Sequence, residues 1–285
     1  RIRMSLQTMR HVRHVMAENP VSLLAALLFA GIVFVAVFGT WLAPYDPLRT
    51  DVINALQPPS AAHWFGTDHL GRDVFSRVLV ATRLDLVIAF SAVSLSFVAG
   101  CAIGALTGYF GGLTDRIVGR FVDVLMAFPL FVLAMALVAA LGNTVANIIY
   151  ATAIINLPFY IRFARAEVNQ RRSAGYVLSA RLGGAIDARI LARVLVPNIM
   201  PVMVVQMSLN MGWAILNAAG LSFIGLGVKP PTAEWGIMVA QGASYVTSGH
   251  WWVALFPGLA LVVTVFCFNL LGDGLRDIVD PRRRT

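Results

Sequence analysis

Few side chains in this sequence are of types that do chemistry, and their spacing narrows what that chemistry could be. His63 and His69 flank Asp68 and stand near Asp73 in a short aromatic stretch. Imidazoles and carboxylates so close together could hold a divalent cation, but Arg72 and Arg77 compete for the same carboxylates, so hydrogen-bonding loop groups are expected and no metal site. An intramembrane serine hydrolase would want a Gly-x-Ser-Gly turn and a histidine on another apolar run. The nearest string, Gly242-Ala243-Ser244-Tyr245, lacks the last glycine, and no histidine falls within a long apolar run. Small-residue strings of this kind commonly serve helix contacts. Nucleotide chemistry would need a phosphate cradle of the form G-x-x-x-x-G-K-[ST]. The one lysine, Lys229, lies between Val228 and Pro230, so no cofactor is expected on this chain and any ATP and Mg must be bound by another. Cys101 and Cys267 stand alone in apolar runs and read as packing residues. No catalytic residue is expected, and nothing marks a substrate-binding residue.

Composition explains the shortage. The 285 residues are 58% hydrophobic and 13% charged, with a mean hydropathy of +0.76. Soluble domains run at about 45–50% apolar and about 25% charged, so this much apolar surface cannot be hidden in one soluble core. A soluble nucleic-acid module, a disulfide scaffold and a disordered basic chain are excluded, and the net charge of +8 reports topology first. A membrane-spanning helix takes about 20 apolar residues. Six stretches qualify, near 21–43, 86–109, 121–141, 145–163, 199–224 and 252–271. An all-α integral membrane protein with six transmembrane helices is therefore expected. The first stretch follows Arg1, Arg3, Arg10 and Arg13, as in a secretory signal, but it is too long for a signal core and no small-x-small site precedes Pro44. It reads as an uncleaved span.

Lysine and arginine counts orient the spans. Seventeen fall on one side, seven of them between Arg162 and Arg193, and five on the other. By the positive-inside rule both termini are cytoplasmic, as are the 164–198 loop, the 1–20 segment and the 272–285 tail, while the 44–85 and 225–251 loops face outward. Asp123 lies one helical turn from Arg120 near the inner end of its span, and an interfacial ion pair between them is expected.

The 164–198 loop is far longer than a hairpin between helices requires. Apolar residues recur at Val177, Leu178 and Leu182 and again at Ile186, Ile190, Leu191 and Val194, on either side of Gly183-Gly184. Two short amphipathic helices with a break at the glycines are expected, lying under the headgroups or docking a cytoplasmic partner.

Here the sequence resembles a known family. Permeases of binding-protein-dependent ABC importers carry a cytoplasmic motif of the form E-A-A, three residues, G, nine residues, I-x-L-P. Its positions fall here on Leu178, Ser179, Ala180, Gly184, Val194, Val196 and Pro197, with Leu178 replacing the glutamate and Ser179 the first alanine. The outer string from His63 to Arg77, with Trp64, Phe65, Gly66, Thr67, Asp68, Gly71, Arg72 and Asp73, resembles C-type permeases of dipeptide, oligopeptide and nickel uptake. So do Leu221-Ser222-Phe223-Ile224-Gly225-Leu226-Gly227 and Phe268-Asn269-Leu270-Leu271-Gly272-Asp273-Gly274. The resemblance implies a type I ABC importer permease in a bacterial inner membrane, with residues 86–271 forming a five-helix core. It implies heterodimerisation with a B-type permease, two ATPase subunits below and an extracytoplasmic solute-binding protein above. Tyr176, Leu178, Ser179, Ala180, Gly183, Gly184 and Pro197 would then form the ATPase-coupling loop. Di- or oligopeptides are the expected cargo, with nickel or a chelated metal as the alternative. An ion or solute channel is the competing class, and it would need no ATPase.

Overall fold

The computed structural model describes residues 20–279, so the basic N-terminal stretch and Arg282, Arg283 and Arg284 lie outside the described residues. All regular structure among the described residues is helical apart from one antiparallel bridge between Thr67 and Asp73. Helix α1 is Pro20–Leu42. Helix α2, Val74–Phe110, starts well before the expected 86–109 span. Arg77, Arg83 and Asp85 interrupt the apolar run there, but Asp73 accepts from the Ser76 N–H at 2.8 Å and fixes the helix start.

The expected third span, 121–141, is not one helix. Helix α3 is Gly112–Ala127 and α4 is Leu130–Leu141, bent by 91° from one another. Pro129 is the cause, because its ring forces the preceding Phe128 into extended backbone (φ −85°, ψ 143°). Alone, α4 reaches only about 18 Å, short of a bilayer's hydrocarbon core. Helix α5 is Val145–Arg171, capped by Thr144, whose hydroxyl accepts from the Asn147 N–H.

Helix α6 is Gly175–Leu182 and α7 is Asp187–Ile190. The second short helix expected after Gly183-Gly184 is not separate. It runs through a π-helical turn, Leu191–Leu195, into α8, Val196–Phe223, as one helical stretch Asp187–Phe223. Pro197 lies just past the π-helical turn inside this stretch, where its missing N–H removes one intrahelical bond without stopping the helix. Helix α9 is Trp235–Val246 and α10 is Trp252–Val279. Among the described residues, five helical stretches are long and apolar enough to cross a membrane, and the bent α3–α4 pair makes a sixth crossing if counted as one.

The core is built on α2 against α5. Gly100, Gly104 and Gly108 stack one turn apart along α2, and a Cβ on any of them would overlap Tyr160, Ile161 or Arg165 of α5. Small residues at this period let two backbones touch, the main source of helix adhesion where lipid is as apolar as the side chains. Tyr160, Val168, Ile190, Leu195, Ile199 and Met203 fill the space beside this contact. Helix α1 packs on α2 and α10, with Phe29 edge-on to Phe268 at 5.7 Å, and leaves most of its surface exposed.

Gly104→Val should therefore force α2 and α5 apart. We expect the variant to lose about 1–3 kcal/mol of stability, read as a lower melting temperature in detergent, whereas Gly119→Val, where nothing lies near, should melt as the parent does.

Candidate functional site

At the arginine-rich end, α6 stands out from the body. It ends in a left-handed turn: the Ala185 N–H donates to the Ala180 carbonyl at 3.1 Å, the Gly184 N–H donates to the Arg181 carbonyl at 3.0 Å, and Gly184 has φ +79°. That pair of bonds is a Schellman motif, which favours glycine because a Cβ at positive φ is strained. Gly184, four residues after Ala180, is thus the helix terminator, while Gly183 keeps an ordinary φ of −74°. Val177 is buried and Ala180 partly so, whereas Tyr176, Leu178, Leu182 and Ile186 face out, Leu182 with 81% of its surface exposed. The apolar positions that looked like one face are divided between two. Ser179 donates back to the Gly175 carbonyl at 2.9 Å, and Pro197 lies apart at the start of α8.

Beside this helix α3 is tied to α5 by charge. Arg165 pairs with Asp115, and Arg162 donates to Asp123 at 2.8 Å. The expected Arg120 partner for Asp123 is thereby replaced by Arg162 from α5, because the bend at Pro129 lays α3 across that helix. These groups line a cleft of about 520 Å³.

At the opposite end the aromatic string forms a buried knot. The Asp68 carboxylate accepts from the N–H groups of Leu70 and Arg72 and from the Arg72 guanidinium at 2.7 Å, with Arg77 at 3.7 Å. Gly71, at φ +72°, makes the turn between them. Asp73 caps α2 and takes His63 Nδ1 at 2.8 Å. The Thr67 carbonyl accepts from the Trp252 indole at 3.1 Å, Phe65 stacks on Phe256 at 3.9 Å, and the exposed Trp64 leans on Phe75. His69 stacks on Tyr245 instead of joining His63, and burial holds its imidazole below the usual value. Arg72, Arg77 and Asp68 are all buried, so removing Asp68 would strand two guanidinium groups at a cost of about 3–5 kcal/mol. The knot clamps the loop to the starts of α2 and α10, and within it His69 Nδ1 is buried without a hydrogen-bond partner.

Sequence reasoning missed a second buried charge site next to the knot. Glu234 caps α9, accepting from the Gly236 and Ile237 N–H groups at 2.9 and 2.8 Å, and its carboxyl hydrogen-bonds to that of Asp85 on α2. The Trp235 N–H donates to Asp85 at 3.2 Å. A bond between two carboxyl groups requires a proton, and burial pushes the Glu234 carboxyl up so that the proton stays. An acid within an otherwise apolar run is the signal that could have found Asp85.

Comparison with known proteins adds to this geometry. Residues 100–285 match the family described as binding-protein-dependent transport system inner membrane component. Residues 8–59 match the N-terminal transmembrane domain of oligopeptide transport permease C. A probable D,D-dipeptide transport system permease, DdpC of Escherichia coli (strain K12), is 43% identical over 93% of this chain and 88% of its own length. A di/tripeptide transport system permease, DppC of Pseudomonas aeruginosa (strain UCBPP-PA14), is 41% identical over 93% and 89%. A glutathione transport system permease, GsiD of Escherichia coli O157:H7, is 44% identical over 90% and 85%. Among solved structures, a chain of the inward-facing MetNI methionine ABC transporter covers 71% of this chain and 96% of its own, with a TM-score of 0.58 and 19% identity, a likeness of fold alone.

The shared proton gives a pH dependence. A carboxyl whose folded pKa is raised contributes stability that is complete below its ordinary range near 4.5 and is lost as pH rises through the folded value. We expect the melting temperature to fall as the pH rises above the ordinary carboxyl range. Asp85→Asn, whose amide donates to Glu234 without titrating, should flatten that slope.

Proposed function

Because the chain belongs to the family of inner-membrane components of binding-protein-dependent transport systems, a multi-pass permease of the ABC importers and not itself an enzyme, we propose that it forms half of a pathway for di- or oligopeptides. The relatives whose names state a cargo carry D,D-dipeptides, di- and tripeptides or glutathione, and that common chemistry supports a peptide here. The chain works within a transport complex. Its partners on this reading are a homologous B-type permease, two ATPase subunits that bind ATP and Mg²⁺, and a solute-binding protein outside.

One observation carries the reading. An eight-residue helix with its apolar residues turned outward is marginal by itself and needs a surface to cover it. Tyr176, Leu178, Leu182 and Ile186 would enter a groove on an ATPase subunit, with the arginine-rich end on the cytoplasmic side. Closure of the two ATPases on ATP would then press on α6 and turn the helix bundle between outward and inward access. The clamped outer loop would present a firm rim to the binding protein.

Gly184→Trp tests the docking. Open space surrounds Gly184 on this chain, so the indole would meet only a partner, and the positive φ adds about 1–2 kcal/mol of local strain. The variant should insert in the membrane at parental levels yet copurify without ATPase subunits, and uptake of labelled dialanine should be lost. Normal uptake with ATPases bound would show that the helix is a surface element only.

A further inference from the structure

Resting on that docking reading, we propose that Tyr109 is the positioning residue that carries movement of the docking helix into the spans: its hydroxyl bridges the Gly183-Gly184 break and fixes α6 and α7 to the end of α2. The phenol belongs to the next-to-last residue of α2 and is buried. It donates to Asp187 Oδ1 at 2.5 Å, on the first residue of α7, and accepts from the Arg181 guanidinium at 3.0 Å, in the last turn of α6. Both bonds have a charged partner, the stronger class of hydrogen bond. The Arg181 guanidinium carbon also sits 6.0 Å from the centre of the ring.

Little else fastens α6. Val177 is its one buried residue, and the Schellman turn sets only the local chain direction. The ion pairs at this end lie elsewhere, joining α3 to α5 or closing within α5. Arg172, just past α5, reaches the carbonyls of Gly108 and Tyr109 at 3.4 and 3.5 Å, so the end of α2 is also held to α5 beneath the bridge. A push on α6 therefore passes through Arg181 to one hydroxyl, and from there into the α2–α5 contact and, through Asp187, into the helical stretch Asp187–Phe223. Without the hydroxyl, α6 could rock on Val177 while the spans stay still.

The test uses the whole transporter in liposomes, with ATP hydrolysis measured with and without its solute-binding protein. Tyr109→Phe keeps the ring in the core and removes both bonds. ATPase subunits should still copurify, but stimulation by the binding protein should fall at least about tenfold, the population change expected from losing even one of the two charge-assisted bonds. Asp187→Asn keeps an acceptor oxygen but loses its charge and should couple at a level between the parent and Tyr109→Phe. Asp187→Leu, exposed and safe for folding, should uncouple, and the double variant Tyr109→Phe/Asp187→Leu should be no worse than either alone. A spin-label pair at the exposed Ser179 and Phe110 should give one narrow distance in the parent and a broad one in Tyr109→Phe. Full stimulation of both Tyr109→Phe and Asp187→Leu overturns the bridge even where Gly184→Trp sheds its ATPases. If Gly184→Trp keeps them and transports, the docking reading fails and the bridge with it.

Discussion

The contact of α2 with α5 is the constraint on which the other features depend. In a bilayer no water remains to be expelled between helices, so adhesion comes from close packing and from internal hydrogen bonds. The glycine stripe allows that packing over about two turns, and α2, at 37 residues and about 55 Å, is long enough to project beyond the hydrocarbon at both ends. Its first turns enter the charged knot of the outer loop and its last residues meet the docking segment. Events at the two ends are thus joined by one rod that is held sideways against α5.

Charge is distributed to suit this arrangement. The Asp68, Arg72 and Arg77 group is buried at one end, where mutual pairing and backbone donors compensate for lost water, and it pins α2 to α10 through Thr67 and Trp252. The Asp115–Arg165 and Asp123–Arg162 pairs at the other end are more exposed, and such pairs contribute little to stability. They suit elements that must shift relative to one another, as the sharply bent α3 and α4 would.

The fold class and the positions of most spans could be read from the sequence because hydrophobic runs report directly on the thickness of lipid they must cross. Pro129 misled because an apolar window averages over a break that depends on one residue's neighbour. The π-helical turn at Leu191–Leu195 has no compositional signature, so the merger of the second short helix with α8 was invisible. In the outer string, the residue types announced a tightly bonded loop, but which carboxylate took which arginine depended on chain paths that meet only in three dimensions. Asp85 and Glu234 are 149 positions apart, and Tyr109 meets Asp187 across 78. Nothing local to either residue tells of its partner.

The replacement of the family's glutamate by Leu178 gains a meaning from the structure. Leu178 and Leu182 stand one turn apart on the outward face of α6, with Ile186 beyond the glycine turn. A carboxylate at 178 would interrupt that stripe with a group that must keep water or find a cation when covered. With leucine there, the face can be covered without leaving a charge unpaired, and the matching groove must itself be apolar at that point. Backbone features of the docking segment, the Schellman turn and its glycine, depend on this chain alone and can stay constant. On the proposed docking, the side chains that face the partner would change only together with its groove, so position 178 would specify which ATPase fits while Gly184 would specify how it is held.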